Sequence, residues 1–308
     1  MAPQLAGALH ATGDDEIRDV LAEARRLAAE LEPLYDWDDL CEIIQNCRLA
    51  ELDRHPTLEQ LYAGRFNPLL KRHHGTTESY LRLQLGWPAQ EARDEQQDEQ
   101  EYWTHGATTN VRRNDWPYAV PKDVQHWVVW VPLPLFHPLL CKPAPATSSA
   151  PCSAVPSGAA TPSGPSRTNP LATAPESSAS RLLASDSLAK RIAASSIPRI
   201  AKNLPPALEP GALAPTKGTW DWVSRNGLGG LTGQAAERFR ARYGRASTFD
   251  QDPATSYKED DGPEREIRAF VEKRWRVADG WETAWFANPP GLQSVPGLAH
   301  FHVLARKS

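Results

Sequence analysis

Ala299-His-Phe-His-Val-Leu304 places two histidines one residue apart in an apolar, β-branched stretch. Side chains alternate between the faces of an extended strand. His300, His302 and Leu304 therefore share one face, and Phe301 and Val303 share the other. Two imidazoles side by side can bind an anion, ligate a metal, or serve as a nucleophile and its neighbour. The plain alternative is a pair of histidines on a solvated sheet face. Asn288 and Gln293 lie just before this strand and can hydrogen-bond a ligand held there. A metal would need further ligands, and His126 is a candidate third.

Weaker constellations occur elsewhere. His73-His74 precede Gly75 and read as an exposed loop pair. Arg113 and Asp115 flank a turn and could orient a ligand, although Asp115 equally suits a turn-stabilising role. Trp116, Trp127 and Trp130 fit a core better than a sugar-stacking platform. The Gly227–Gly230 run (GLGG) precedes a helical pattern, but neither a dinucleotide fingerprint nor a GK[ST] ending is present, and it reads as a flexible turn.

The elements that must position these residues follow from periodicity. Residues 12–32 predict an amphipathic helix, with Ile17, Val20, Leu21, Ala24, Leu27, Ala28 and Leu31 on one stripe. A second helix is predicted from about Asp38. A third starts at Thr57, with Pro68 ending or bending it, and a fourth covers Thr77 to Leu85. The acidic, Gln-rich run 91–101 reads as a solvated connector. Asn110–Asn114 and Gln125–Val131 (QHWVVWV) predict strands, the second closed by Pro132 and Pro134. Helices are predicted over Gln234–Tyr243 and from Pro263, and strands over Trp281–Phe286 and Ala299–Leu304.

Composition sets the domain organisation. The chain has 308 residues and 11 Trp, yet no aromatic residue lies from His137 to Thr219. Residues 142–178 are almost wholly Pro, Ser, Ala, Thr and Gly, too poor in apolar area to offset the entropy of ordering. Arg181–Lys202 is weakly amphipathic and reads as a fluctuating helix in a linker. We therefore expect one α+β domain written in two pieces. Residues 1–34 form an N-terminal extension and 35–140 the first part. A low-complexity, disordered insertion occupies 141–218, its partly helical end 219–261, and the second part of the domain 262–308.

The net charge of −4 offers no basic surplus for nucleic acid. Four cysteines without CxxC spacing read as free thiols of a reducing compartment. The N-terminus lacks a signal-peptide pattern, and the most apolar stretch, 124–141, is too short and broken to span a bilayer. The expected setting is cytoplasmic or nuclear, with no membrane partner and no cofactor or metal assigned.

Two resemblances add to this reading. Gln293-Ser-Val-Pro-Gly-Leu-Ala-His-Phe-His-Val-Leu-Ala-Arg306 resembles the signature strand of the histidine-triad (HIT) nucleotide hydrolases and transferases. Asn114-Asp-Trp-Pro-Tyr118 with His126 is similar to their nucleoside-binding hairpin. The resemblance implies N-terminal helices packed on a mainly antiparallel HIT-like sheet. It makes His300 a candidate catalytic nucleophile toward a phosphate, and His302, Gln293, Asn288, Asn114 and His126 ligand-binding residues. The partner would be a small phosphorylated ligand, a nucleotide or sugar phosphate. The sequence departs from the motif twice: the first triad histidine falls on Leu298, and the Gln293-to-His300 spacing is one residue longer.

A broader resemblance rests on Trp37-Asp-Asp-Leu, Ile43-Ile-Gln-Asn-Cys-Arg-Leu49, Leu52-Asp-Arg54, Tyr80-Leu, Leu85-Gly-Trp87, Asn114–Tyr118, His126–Trp130, Trp285-Phe and Leu292–Val303. These look like the fungal N-acetylglucosamine-induced proteins, a mostly uncharacterised one-domain family. That resemblance implies a role in the response to amino sugars, as an enzyme or as a non-enzymatic regulator, without naming a reaction.

Overall fold

The computed structural model describes residues 13–87, 109–131, 135–137, 141, 215, 217–243 and 263–308. The connector 91–101, the low-complexity tract 142–178 and the basic segment 181–202 lie outside the described residues.

Four of the helices described begin at a side-chain cap, supplied by Asp36, His55, Thr76 and Thr219. α1 (Gly13–Glu30) has Asp14, Asp15 and Glu16 in its first turn, opposite in sign to the helix dipole, and buries Ile17, Val20, Leu21 and Ala24. α2 (Trp37–Gln45) starts with a reciprocal capping box between Asp36 and Asp39 and buries Trp37, Leu40, Cys41, Ile43 and Ile44. α3 (Pro56–Leu61) runs through a π turn, Tyr62–Phe66, straight into α4 (Asn67–His74). Pro68 thus does not end the helix. The wider turn before it takes up the missing N–H and the bulk of its ring. His73 and His74 close α4 beside Glu16 and Asp14 of α1, so the pair is helical and not in a loop; His73 is exposed, as expected, and His74 is partly buried. α5 (Thr77–Leu85) is capped by Thr76 and stops at Gly86, whose φ of 67° suits glycine.

The strands are β1 (Asn110–Arg113), β2 (Gln125–Trp130), β3 (Leu228–Thr232), β4 (Trp281–Ala287) and β5 (His300–Lys307). They form one antiparallel sheet in the order β1-β2-β5-β4-β3. Between β2 and β4 the chain also forms α6 (Trp220–Asn226), α7 (Gly233–Tyr243) and α8 (Pro263–Arg274). The α+β class and the mainly antiparallel sheet match the sequence expectation.

The glycine run is a correction. Leu228-Gly-Gly-Leu-Thr232 is not a flexible turn but the wholly buried edge strand β3. A β-carbon on Gly229 would stand 2.4 Å from the Ile44 carbonyl oxygen, and one on Gly230 2.6 Å from Cζ2 of Trp285. The glycines let α2 and the Trp285 indole approach the strand backbone, a use that periodicity does not reveal.

The sheet has two apolar faces. Phe301, Val303, Val129 and Trp285 pack with Ile267 and Val271 of α8 and Trp222 and Val223 of α6. On the opposite face, Leu304, Phe286 and Ala284 pack against α2. Val128 and Trp130 meet Leu85, Val295 and Leu298 there. α1, α3, α4 and α5 share their own core around Phe66, Tyr80 and Trp116. The histidine face of β5 is therefore roofed by helices.

Candidate functional site

His300 and His302 emerge on the helix-roofed face, and His126 joins them from β2. The register sets Leu304 opposite His126, His302 opposite Val128 and His300 opposite Trp130. All three rings are buried, at 4%, 7% and 4% exposure for His300, His302 and His126. The solvated-face alternative is thereby excluded.

With the backbone partners as anchors, whose roles are fixed, the hydrogen bonds assign one tautomer to each ring. The backbone N–H of Tyr118 can only donate, and it lies 3.2 Å from Nδ1 of His126, so that nitrogen accepts. In the neutral ring the proton then sits on Nε2, which donates to Nδ1 of His302 at 3.0 Å. Having accepted, the neutral His302 carries its proton on Nε2. His300 is ordered the other way: its Nδ1 donates to the Leu298 carbonyl oxygen at 2.7 Å, leaving the lone pair on Nε2. Neither Nε2 of His300 nor Nε2 of His302 has a hydrogen-bond partner among the described residues. The site thus presents one acceptor and one donor on adjacent rings whose centroids are 5.3 Å apart.

Burial enforces neutrality. Desolvation, reinforced by the Arg54 charge, pushes His126 down from 6.5 to about 3. His302 lies well below its ordinary value, first through burial and then through His126, His300 and Arg54. His300 is lowered by burial, opposed by its bond to Leu298. Aromatic rings clamp the set: Tyr118 stacks on His126 at 5.3 Å, Phe286 on His302 at 4.8 Å, and Trp130 tilts over His300 at 4.6 Å.

His300 and His302 line a cavity of about 500 Å³ between the sheet, α1, α5 and the π turn. Arg18, Arg25, Arg54, Arg112 and Arg113 also line it, against the carboxylates of Asp14 and Asp115, with Tyr62, Phe66, Trp116 and Trp130 as aromatic walls. Three of these arginines face acids: Arg18 with Asp15, Arg25 with Asp115 and Arg54 with Glu59. Arg112 is held by neutral acceptors, the Asn110 side chain and the Gln84 carbonyl, and Arg113 lies over the Trp127 ring at 4.8 Å. The Arg112 guanidinium thus faces the cavity without a carboxylate partner among the described residues, whereas that of Arg113 lies on Trp127, on the other face of the sheet. Aromatic and cationic groups converging on a buried concave site are the usual make-up of a small-anion pocket.

The remaining candidates sit one layer out. Asn114 lines the same cavity; its Oδ1 accepts from the Trp116 N–H at 2.9 Å, which turns its amide nitrogen toward His126. Asn288 donates to the Tyr118 hydroxyl at 3.2 Å, and Gln293 donates to the Asn288 carbonyl at 2.8 Å. These two brace Tyr118 and do not line the cavity. Asn114 and His126 also line a second cavity of about 300 Å³ behind Tyr118. Sequence reasoning missed Arg18, Arg25, Arg54, Arg112 and Tyr118, because isolated arginines carry no spacing signal. Trp116 and Trp130, read as core, are both buried and cavity-lining. Among the described residues no cluster of three or more His, Cys, Asp or Glu is arranged for a metal. No described helix is long and apolar enough to cross a membrane. Cys41, Cys47 and Cys141 are free thiols, and burial pushes Cys47 up to about 12.

No curated protein matches the chain. A solved structure titled "Crystal Structure of HTC1" is similar at 19% identity over 89% of this chain and 86% of that one, with a TM-score of 0.36, too low to carry an argument. A family model described as "Protein of unknown function (DUF3605)" matches residues 36–138 and 247–306, a span that holds β1, β2, β4, β5 and His126, His300 and His302. That match covers more than half of the chain, and the chain belongs to this family.

Proposed function

We propose that the arginine-lined cavity binds a small phosphorylated ligand, a nucleotide or phosphosugar, in a HIT-like arrangement centred on His300 and His302. The observation that carries this reading is the hydrogen-bond pattern on the cavity wall, which assigns opposed tautomers to His300 and His302. The Nε2–H of His302 suits a phosphoryl oxygen, and the Nε2 lone pair of His300 suits an electrophilic phosphorus beside it. Arg112, held in place by neutral acceptors, supplies charge that no carboxylate among the described residues cancels. The aromatic walls suit a base or a sugar ring. Attack would form an Nε2–P bond while the leaving group departs with the electrons of its own P–O bond.

The resemblance to N-acetylglucosamine-induced proteins directs the choice of probes toward nucleotide-sugars and hexosamine phosphates. A second reading, a regulator that senses such a ligand without turnover, is favoured by Leu298. It stands where the triad motif has its first histidine, is 2% exposed, and offers only its carbonyl oxygen to the site.

The test is calorimetric titration of the full chain with nucleoside mono- and diphosphates, nucleotide-sugars and hexosamine phosphates. Binding that Arg112→Ala weakens by about tenfold or more supports the reading. Ligand consumption that His300→Ala abolishes assigns catalysis, whereas binding unchanged in His300→Ala without turnover assigns the regulator. Failure of every probe to bind removes both.

A further inference from the structure

The family match begins at residue 36, yet one wall of the cavity comes from α1, residues 13–30. Ile17 and Leu21 bury themselves in the helical core and fix the helix in place. Arg25, one turn further on, reaches the hairpin after β1. Its Nε lies 2.9 Å and a terminal nitrogen 2.8 Å from the same carboxylate oxygen, Oδ1 of Asp115. The two residues are 90 positions apart, and both line the cavity.

We infer that Arg25 is a specificity-determining residue that reads a second anionic group of the ligand, with Asp115 as its holding partner. This rests on the proposed phosphate-binding role of the cavity. The pair is exposed, with side-chain exposures of 63% and 39%, and an ion pair in such a setting is worth little. A phosphoryl group accepts from two guanidinium nitrogens at once and is a better partner than one carboxylate oxygen. Arg112 approaches from β1 on the sheet side and Arg25 from α1 above it. A ligand with one anionic group satisfies one of these walls, whereas a diphosphate can engage both. Asp115 occupies Arg25 only until the ligand replaces it. Arg25 thus comes from a helix outside the region that the family model spans.

The experiment compares ADP with AMP by calorimetry on the full chain, in the wild type, Arg25→Ala, Asp115→Asn and Arg112→Ala, with a thermal melt of each variant. The wild type is expected to prefer ADP by about tenfold or more. Arg25→Ala should erase that preference by lowering ADP affinity to the level of AMP. Asp115→Asn breaks the same ion pair but keeps the guanidinium, and should leave ADP binding equal or tighter. Loss of the preference in Asp115→Asn as well would make the pair a structural brace and overturn the inference. So would an ADP preference that survives Arg25→Ala. If AMP, ADP, inorganic pyrophosphate and the nucleotide-sugar and hexosamine phosphate probes all fail to bind the wild type, the cavity reading falls and this one with it. If both bind equally and only Arg112→Ala weakens them, the cavity reading stands and the role of Arg25 does not.

Discussion

Three imidazoles packed within one buried layer are held neutral by desolvation and ordered by a single backbone N–H. Tyr118 donates to His126, His126 donates to His302, and the order ends in a proton on Nε2 of His302. His300, tied to the Leu298 carbonyl, ends in a lone pair. Long-range proton–nitrogen correlation spectra at neutral pH should therefore show the Nε2–H tautomer for His302 and the Nδ1–H tautomer for His300. Finding both rings in the same tautomer would refute the assigned hydrogen-bond order. His126→Phe keeps a ring against Tyr118 but leaves the Tyr118 N–H and His302 Nδ1 without partners. Each orphaned buried group costs roughly 1–3 kcal/mol, so the urea midpoint should drop clearly. Strand alternation alone put His300 and His302 on one face. It could not supply the tautomers, because they depend on a backbone donor eight residues before His126.

At the scale of elements, the sequence read well wherever a periodic stripe or a cap was present: α1, α2, α5, α8, β2, β4 and β5 all lie close to their expected spans. It failed at β3, where two glycines erase the alternation that marks a strand. The same glycines make the element testable. Gly229→Ala would drive a β-carbon against the Ile44 carbonyl, and Gly230→Ala against the Trp285 indole. Overpacking of this kind costs about 1–3 kcal/mol. Gly291→Ala meets nothing within 4 Å and should stay within about 0.5 kcal/mol of the wild type. Thermal melts of the three variants check this, and a Gly229→Ala protein as stable as Gly291→Ala would remove the close-packing account of β3. The cavity arginines escaped the sequence reading for a related reason. They come from α1, the loop after α2 and β1, and only the packed fold brings them together.

Over the whole molecule, the buried histidines tie stability to acidity. Their folded-state pKa values lie below the unfolded value of 6.5, to about 3 for His126. The unfolded chain therefore binds more protons, and the stability gained from keeping these rings neutral is fully present above pH 6.5 and declines below it. Each ring contributes up to about 1.4 kcal/mol per pH unit while its folded form resists protonation. Denaturant midpoints should fall steeply between pH 7 and pH 5, with net proton uptake on unfolding. A flat profile over that range would show that the rings are hydrated or charged in the folded protein.

The strand order β1-β2-β5-β4-β3 also determines when the site can exist. β5 follows every other strand in sequence, yet it occupies the middle of the sheet and carries both His300 and His302. Until it slots between β2 and β4, the imidazole of His126 has no acceptor and the two sheet halves have no common seam. Such distant pairing is slow to close, because the loop entropy must be overcome before the contacts form. Ligand competence is consequently gained in the same step that joins the halves. Binding of a phosphorylated probe would therefore serve as a clock for the completion of folding.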